Sequence, residues 1–137
     1  MTKFDNKHFR KFPFTDEQND QFFQNALRDL KIAKEDGIPE VKFTYAYQAL
    51  LKAGIALLAK SRSLKVRSTP GHHIAVISKM SEILKDDDVN IIGNRMRVKR
   101  NKDLYDGGDI ISAKEADECL KFVEEAIKKI GGSFKAG

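Results

Sequence analysis

A chain of 137 residues, 41% hydrophobic and 33% charged, has the balance of a globular protein and the length for one domain with one substantial core. Cys119 is the only cysteine, which excludes an intramolecular disulfide and fits a reducing cytoplasm, the expected location. The net charge of +5 is uneven: residues 60–73 hold four Lys or Arg and residues 95–102 hold five, neither stretch with an acid, so the remainder is net −4 (5 minus 9).

Residues 1–14, "MTKFDNKHFRKFPF", form a basic, Phe-containing arm, read either as docked on the rest or as a mobile segment that makes contacts. It has no apolar run followed by a small-residue cleavage site, so no signal peptide is expected. Residues 15–134 read as a single helical-bundle domain. Thr15 and Gln18 make a capping box for a first helix. Its apolar residues Phe22, Phe23, Ala26, Leu27, Leu30 and Ala33 fall at helical spacing, and Gly37 is its expected stop.

Pro39 suits the first turn of a second helix, which is apolar around most of its girth, as the central helix of a bundle would be. Its longest apolar stretch, residues 49–59, is about half a membrane span and is interrupted by Lys52, so no membrane association is expected. Thr69 as cap and Pro70 at the first helical position open a third helix to about Leu84. "KDDDV" makes the next turn, with its acids favourable at the start of a fourth helix from about Asp88 to Tyr105. Ser112 and Glu115 form a second capping box, before a stripe of Ala116, Cys119, Phe122, Val123, Ala126, Ile127 and Ile130, with Gly131 as stop. No strand-like alternation is visible. Short loops favour antiparallel neighbours, so the expected fold class is all-α, an up-and-down antiparallel bundle of four to five helices.

The hairpin of the third and fourth helices decides where chemistry sits. Counting twelve residues back from Leu84 and twelve forward from Asp88 sets His72 level with Arg100, both roughly 18 Å from the turn. Arg97, Asn101 and Tyr105 recur every four residues and share a face, with Arg100 at its edge. The basic connection ends at the same pole. There "TPGHH" offers the N–H groups and dipole of a helix N-terminus, Gly71 admits a ligand to the backbone, and the arginines supply paired donors for phosphate. The plainer reading of Thr-Pro-Gly is a structural cap. The phosphate or nucleic-acid candidates are Arg62, Lys65, Arg67, Thr69, Gly71, His72, Arg95, Arg97, Arg100, Asn101 and Tyr105. Candidates for catalysis are Arg100, Tyr105, His72 and His73.

Other chemistry finds little support. Three histidines and one cysteine give no metal-ligand spacing, and no phosphate loop or dinucleotide fingerprint is present, so neither metal nor cofactor is expected. "DDD" at 86–88 reads as a solvated helix start rather than a cation site. Tyr45 and Tyr47 read as bundle packing rather than a base-stacking platform.

"TYAYQALLKAGIALLA" resembles the second helix of HEPN-domain proteins, a family of small helical bundles. "STPGHHIAVISKM", "MRVKRNKDLYDGG" and "SAKEADECLKFVEEAIKKI" resemble the following segment, the fourth-helix motif and the closing helix of a subset of them. The resemblance covers nearly the whole chain after residue 15. It implies a bundle that dimerises through the motif-bearing helices and works beside a nucleotidyltransferase in a toxin–antitoxin or defence setting. Active relatives are metal-independent ribonucleases with an Arg-polar-x(3–5)-His motif. Arg100 matches that arginine and Asn101 the polar residue, but the allowed histidine places, 105 to 107, read Tyr, Asp and Gly. Tyr105, with an unperturbed pKa near ~10, is a poor base at neutral pH. The expected function is therefore non-catalytic binding of RNA or a nucleotide phosphate. The alternatives are a metal-independent endoribonuclease whose base is reassigned to His72 or His73, and a purely protein-binding module.

Overall fold

In the computed structural model, residues 7–105 and 111–135 are described; for residues 102–105 and 135 this extends to the backbone alone. The described residues form five helices and one two-stranded sheet: β1 (Phe9–Lys11), α1 (Asp16–Glu35), α2 (Pro39–Arg62), β2 (Leu64–Val66), α3 (His72–Leu84), α4 (Asp87–Tyr105) and α5 (Ala113–Lys135). The all-helical expectation holds for the body of the domain. No described helix is long and apolar enough to cross a membrane.

The helix starts follow the capping chemistry. Thr15 Oγ1 accepts from Gln18 N, and Gln18 Oε1 accepts in return from Thr15 N. Pro39 opens α2, and Ser112 Oγ accepts from Glu115 N at the start of α5. Asp86 Oδ1 accepts from Asp88 N at the start of α4, while its other oxygen meets Lys129 Nζ on α5 at 2.6 Å. That pairing holds the Asp86 carboxyl below its ordinary range.

α2 is the central element and packs on all four other helices. Phe43, Ala46, Tyr47, Ala49, Leu50, Ala53, Ala56, Leu57 and Leu58 are all buried, which accounts for its near-uniform apolar girth. Lys52, which interrupts the apolar stretch 49–59, reaches the carboxylate of Asp29 on α1 at 2.7 Å. Asp29 is 2% exposed, so this ammonium supplies the charge partner that a buried carboxylate requires.

Three expectations are corrected. Gly131 does not stop α5, which runs on to Lys135. Gly131 instead admits the Phe23 ring, whose Cζ would lie 3.3 Å from an added Cβ, and one turn later Phe134 stacks on Phe23 at 4.5 Å. The chain does contain strands. β1 pairs antiparallel with β2, Phe9 opposite Val66, and buries Phe9 in the core. Finally, α3 starts at His72 rather than Pro70, with Gly71 at its N-cap and Thr69 in the turn before it.

Candidate nucleic-acid interface

At the N-terminal end of α3, a cleft of about 470 Å³ opens against α4. It is lined by Ser68, Thr69, Pro70, Gly71, His72, His73, Ile74, Arg97 and Asn101. Among the described residues, no acidic side chain lines it. Gly71 (φ 83°) caps α3 without a side-chain hydrogen bond; the Thr69 carbonyl accepts from His72 N at 3.1 Å, and no side-chain oxygen caps the first turn.

Thr69, displaced from capping, organises the turn instead. Its carbonyl accepts from His72 Nδ1 at 2.7 Å. A carbonyl only accepts, so Nδ1 carries the proton and a neutral His72 holds its lone pair on Nε2. The Thr69 hydroxyl donates to the Lys7 carbonyl at 3.4 Å and accepts from His8 Nδ1 at 3.0 Å. The His8 ring lies beside Gly71, its Cε1 3.6 Å from where a Cβ would stand. The antiparallel pairing of β1 with β2 thus carries the third histidine of the chain to the same pole as the other two.

His73 has the opposite tautomer. Tyr47 is fully buried, and its hydroxyl lies 3.2 Å from His73 Nδ1. A buried phenol needs an acceptor for its one proton, so Tyr47 donates and His73 Nδ1 accepts, leaving the ring proton on Nε2. Burial pushes the Tyr47 hydroxyl up to about 12, against the opposing pull of Arg100 and Arg97. Burial foremost, then His72, Arg100 and Arg97, holds His73 below its ordinary value. The Arg100 guanidinium sits over the Tyr47 ring, 5.7 Å from its centroid. With both rings neutral, the two adjacent histidines, 4.4 Å apart and steeply inclined, differ at Nε2: a hydrogen-bond acceptor on His72 and a donor on His73.

Of the residues proposed from the sequence, Thr69, Gly71, His72, His73, Arg97 and Asn101 line this cleft, and Arg100 lies beneath it through Tyr47. Among the described residues, neither Arg97 nor Arg100 has a carboxylate within ion-pair distance; Arg97 Nε donates to Asn94 Oδ1. The other candidates lie elsewhere. Arg95 lines a separate cleft between α4 and α5 with Cys119 and Phe122. Lys65 sits over the Phe12 ring, Arg67 Nε reaches the Phe9 carbonyl, and Arg62 is exposed at the end of α2. Tyr105 ends α4, and its side chain lies outside the described residues. Sequence reasoning missed two contributors: His8, brought in by strands of three residues, and Tyr47, read as packing. The spacing from Phe43 to Tyr47 marked that tyrosine as inward-facing, but nothing local announced its partner on α3.

No known family, curated protein or solved structure matches the chain.

Proposed function

We propose that this chain is a HEPN-like, non-catalytic cytoplasmic binding protein that holds a nucleotide phosphate, free or within single-stranded RNA, in the cleft between α3 and α4. The observation that carries this reading is a cleft lined by two histidines, Arg97 and Asn101, with no acidic side chain among its described lining residues. A phosphate there gains the Arg97 guanidinium, the His73 Nε2 proton and the first turn of α3, which carries no side-chain cap. Arg100 adds positive potential from below.

Two further parts of the reading rest on separate observations. The exposed face of α4 carries Ile91 and Val98, 54% and 42% exposed, with Ile74 of α3 46% exposed nearby. Ile91 and Val98 are seven residues apart and share a face, which suits a homodimer or a nucleotidyltransferase partner in a toxin–antitoxin or defence setting. The ribonuclease alternative draws support from His72, whose neutral ring keeps its lone pair on Nε2 through the bond to Thr69 and which lines the same cleft as Arg97.

A fluorescent single-stranded RNA titrated in chelator, with the RNA recovered on a gel, separates these readings. The expected outcome is binding that is lost in Arg97→Ala/Arg100→Ala, with the RNA intact. Cleavage that disappears in His72→Ala would install the ribonuclease instead. Absence of binding at low salt would leave the protein-binding role.

A further inference from the structure

The cleft at α3 does not end at His72. A second cavity of about 380 Å³, lined by Phe14, Phe22, Ile55, Leu64, Lys65, Val66, Ser68 and His72, meets it along Ser68 and His72. The first carries two histidines, Arg97 and Asn101; the second is mainly apolar, with Lys65, Ser68 and His72 as its polar lining. We infer that the second cavity receives the planar base of the same nucleotide whose phosphate lies in the first, so that specificity for nucleotides over other phosphates resides in Phe14, Phe22 and Ile55. This inference rests on the phosphate reading above and adds the identity of the moiety attached to the phosphate.

Three features choose a base over other apolar groups. Two phenylalanines stand in the walls: Phe14 and Phe22 lie edge to face, 5.1 Å apart at 89°, an arrangement that turns one ring's face away from the other. The aromatic run continues outward, Phe12 lying 4.6 Å from Phe14. That outer ring is covered by cations, with Lys65 Nζ at 5.3 Å and the Arg10 guanidinium at 5.5 Å from its centroid. Three consecutive rings with cations gathered at the last of them offer stacking surface beside positive charge, the combination by which single strands are held without sequence readout. Lys65 itself lines the cavity, so a cation borders the apolar space. The volume falls within the ~300–1,000 Å³ usual for small-molecule sites.

The arm is integral to this surface. Phe12 N donates to the Ser63 carbonyl at 2.8 Å, and Arg67 N to the His8 carbonyl at 2.7 Å. These bonds hold Phe12 and Phe14 against the helices, so the cavity exists only while β1 and β2 are paired.

Calorimetric titration at low salt in chelator, with uridine 5′-monophosphate, ribose 5-phosphate and hexyl phosphate as probes, tests the inference. Uridine monophosphate is expected to bind at least about tenfold tighter than ribose 5-phosphate. Phe14→Ala, and separately Ile55→Trp to fill the cavity, should abolish that preference while leaving ribose 5-phosphate affinity unchanged, which also shows that the variants are folded. Equal affinity of the first two probes in the wild type would overturn the base site and spare the phosphate site. Hexyl phosphate binding more tightly than the nucleotide would overturn the assignment of a base. If neither sugar phosphate nor nucleotide binds at millimolar concentration, the phosphate site itself falls, and the inference with it.

Discussion

Two proton positions set what the pole offers a ligand, and both have consequences for stability. His73 is depressed and Tyr47 raised, so each prefers its neutral form in the folded chain. For His73 the unfolded chain takes up a proton that the folded chain resists. Its contribution is present above the unfolded value of 6.5 and is lost as the pH falls toward the folded one. For Tyr47 the sign reverses: its contribution is present below 10 and disappears as the pH rises to about 12, on the order of 2 kcal/mol. Chemical denaturation across pH should show both losses. Tyr47→Phe should remove the alkaline loss, cost about 1 kcal/mol at neutral pH, and raise the His73 titration seen by NMR, because neutral His73 loses its donor. Retention of the alkaline loss in Tyr47→Phe would contradict the assignment. The Asp29–Lys52 pair makes a second prediction at this scale. Lys52→Ala should cost about 2 kcal/mol, less than the ~3–5 of a fully buried pair because the ammonium is partly solvated, and Asp29→Leu/Lys52→Met should recover most of it.

Among the elements, the fit of α3 on α2 is set by Gly54. A Cβ there would stand 2.9 Å from Val76 Cγ1 and 3.1 Å from Met80 Cε. Gly54→Ala should therefore destabilise by about 1–3 kcal/mol despite its better helix propensity. Gly132 on α5 has nothing within 4 Å of an added Cβ, so Gly132→Ala should stabilise by about 0.5–1 kcal/mol. Thermal melts of the two variants should move in opposite directions. The same elements show what the sequence made legible. Helix starts were readable because capping is local: Thr15, Pro39 and Ser112 each act within four residues. The inward stripe of α5 followed from 3.6-residue periodicity, and the hairpin count brought His72 and His73 near Arg97 and Arg100. What escaped depended on partners far along the chain. Gly131 reads as a stop until Phe23, on another helix, is seen to need its space. Strands of three residues carry no alternation, so β1 and β2 were invisible, and with them the delivery of His8 to Thr69, 61 residues away. The basic stretches also looked more unified than they are, because charge counting along the chain does not reveal that Arg95 and Arg97 leave α4 in different directions.

For the molecule as a whole, the arm is the part whose loss should be felt furthest. Phe9 is 2% exposed and sits in the common core, so Phe9→Ala should cost about 3–4 kcal/mol. The same change should shift the His8 and His72 ring resonances, since β1 pairing supplies the His8–Thr69 bond; a stability loss with unmoved resonances would separate the arm from the site. The charge pattern acts at this scale too: a cleft with cationic lining and, among the described residues, no acidic lining, on a chain of net charge +5, would hold an anion by contacts that salt screens. The central claim is that phosphate binds at the α3–α4 cleft, and the most direct measurement is the salt dependence of single-stranded RNA affinity for wild type and Arg97→Ala. The expected result is a linear fall of log affinity with log salt in the wild type, and in the variant weaker binding with a slope shallower by about 0.7, the share of one phosphate contact on a single strand. Equal affinity and equal slope in the two proteins would contradict the claim and move the function away from this cleft.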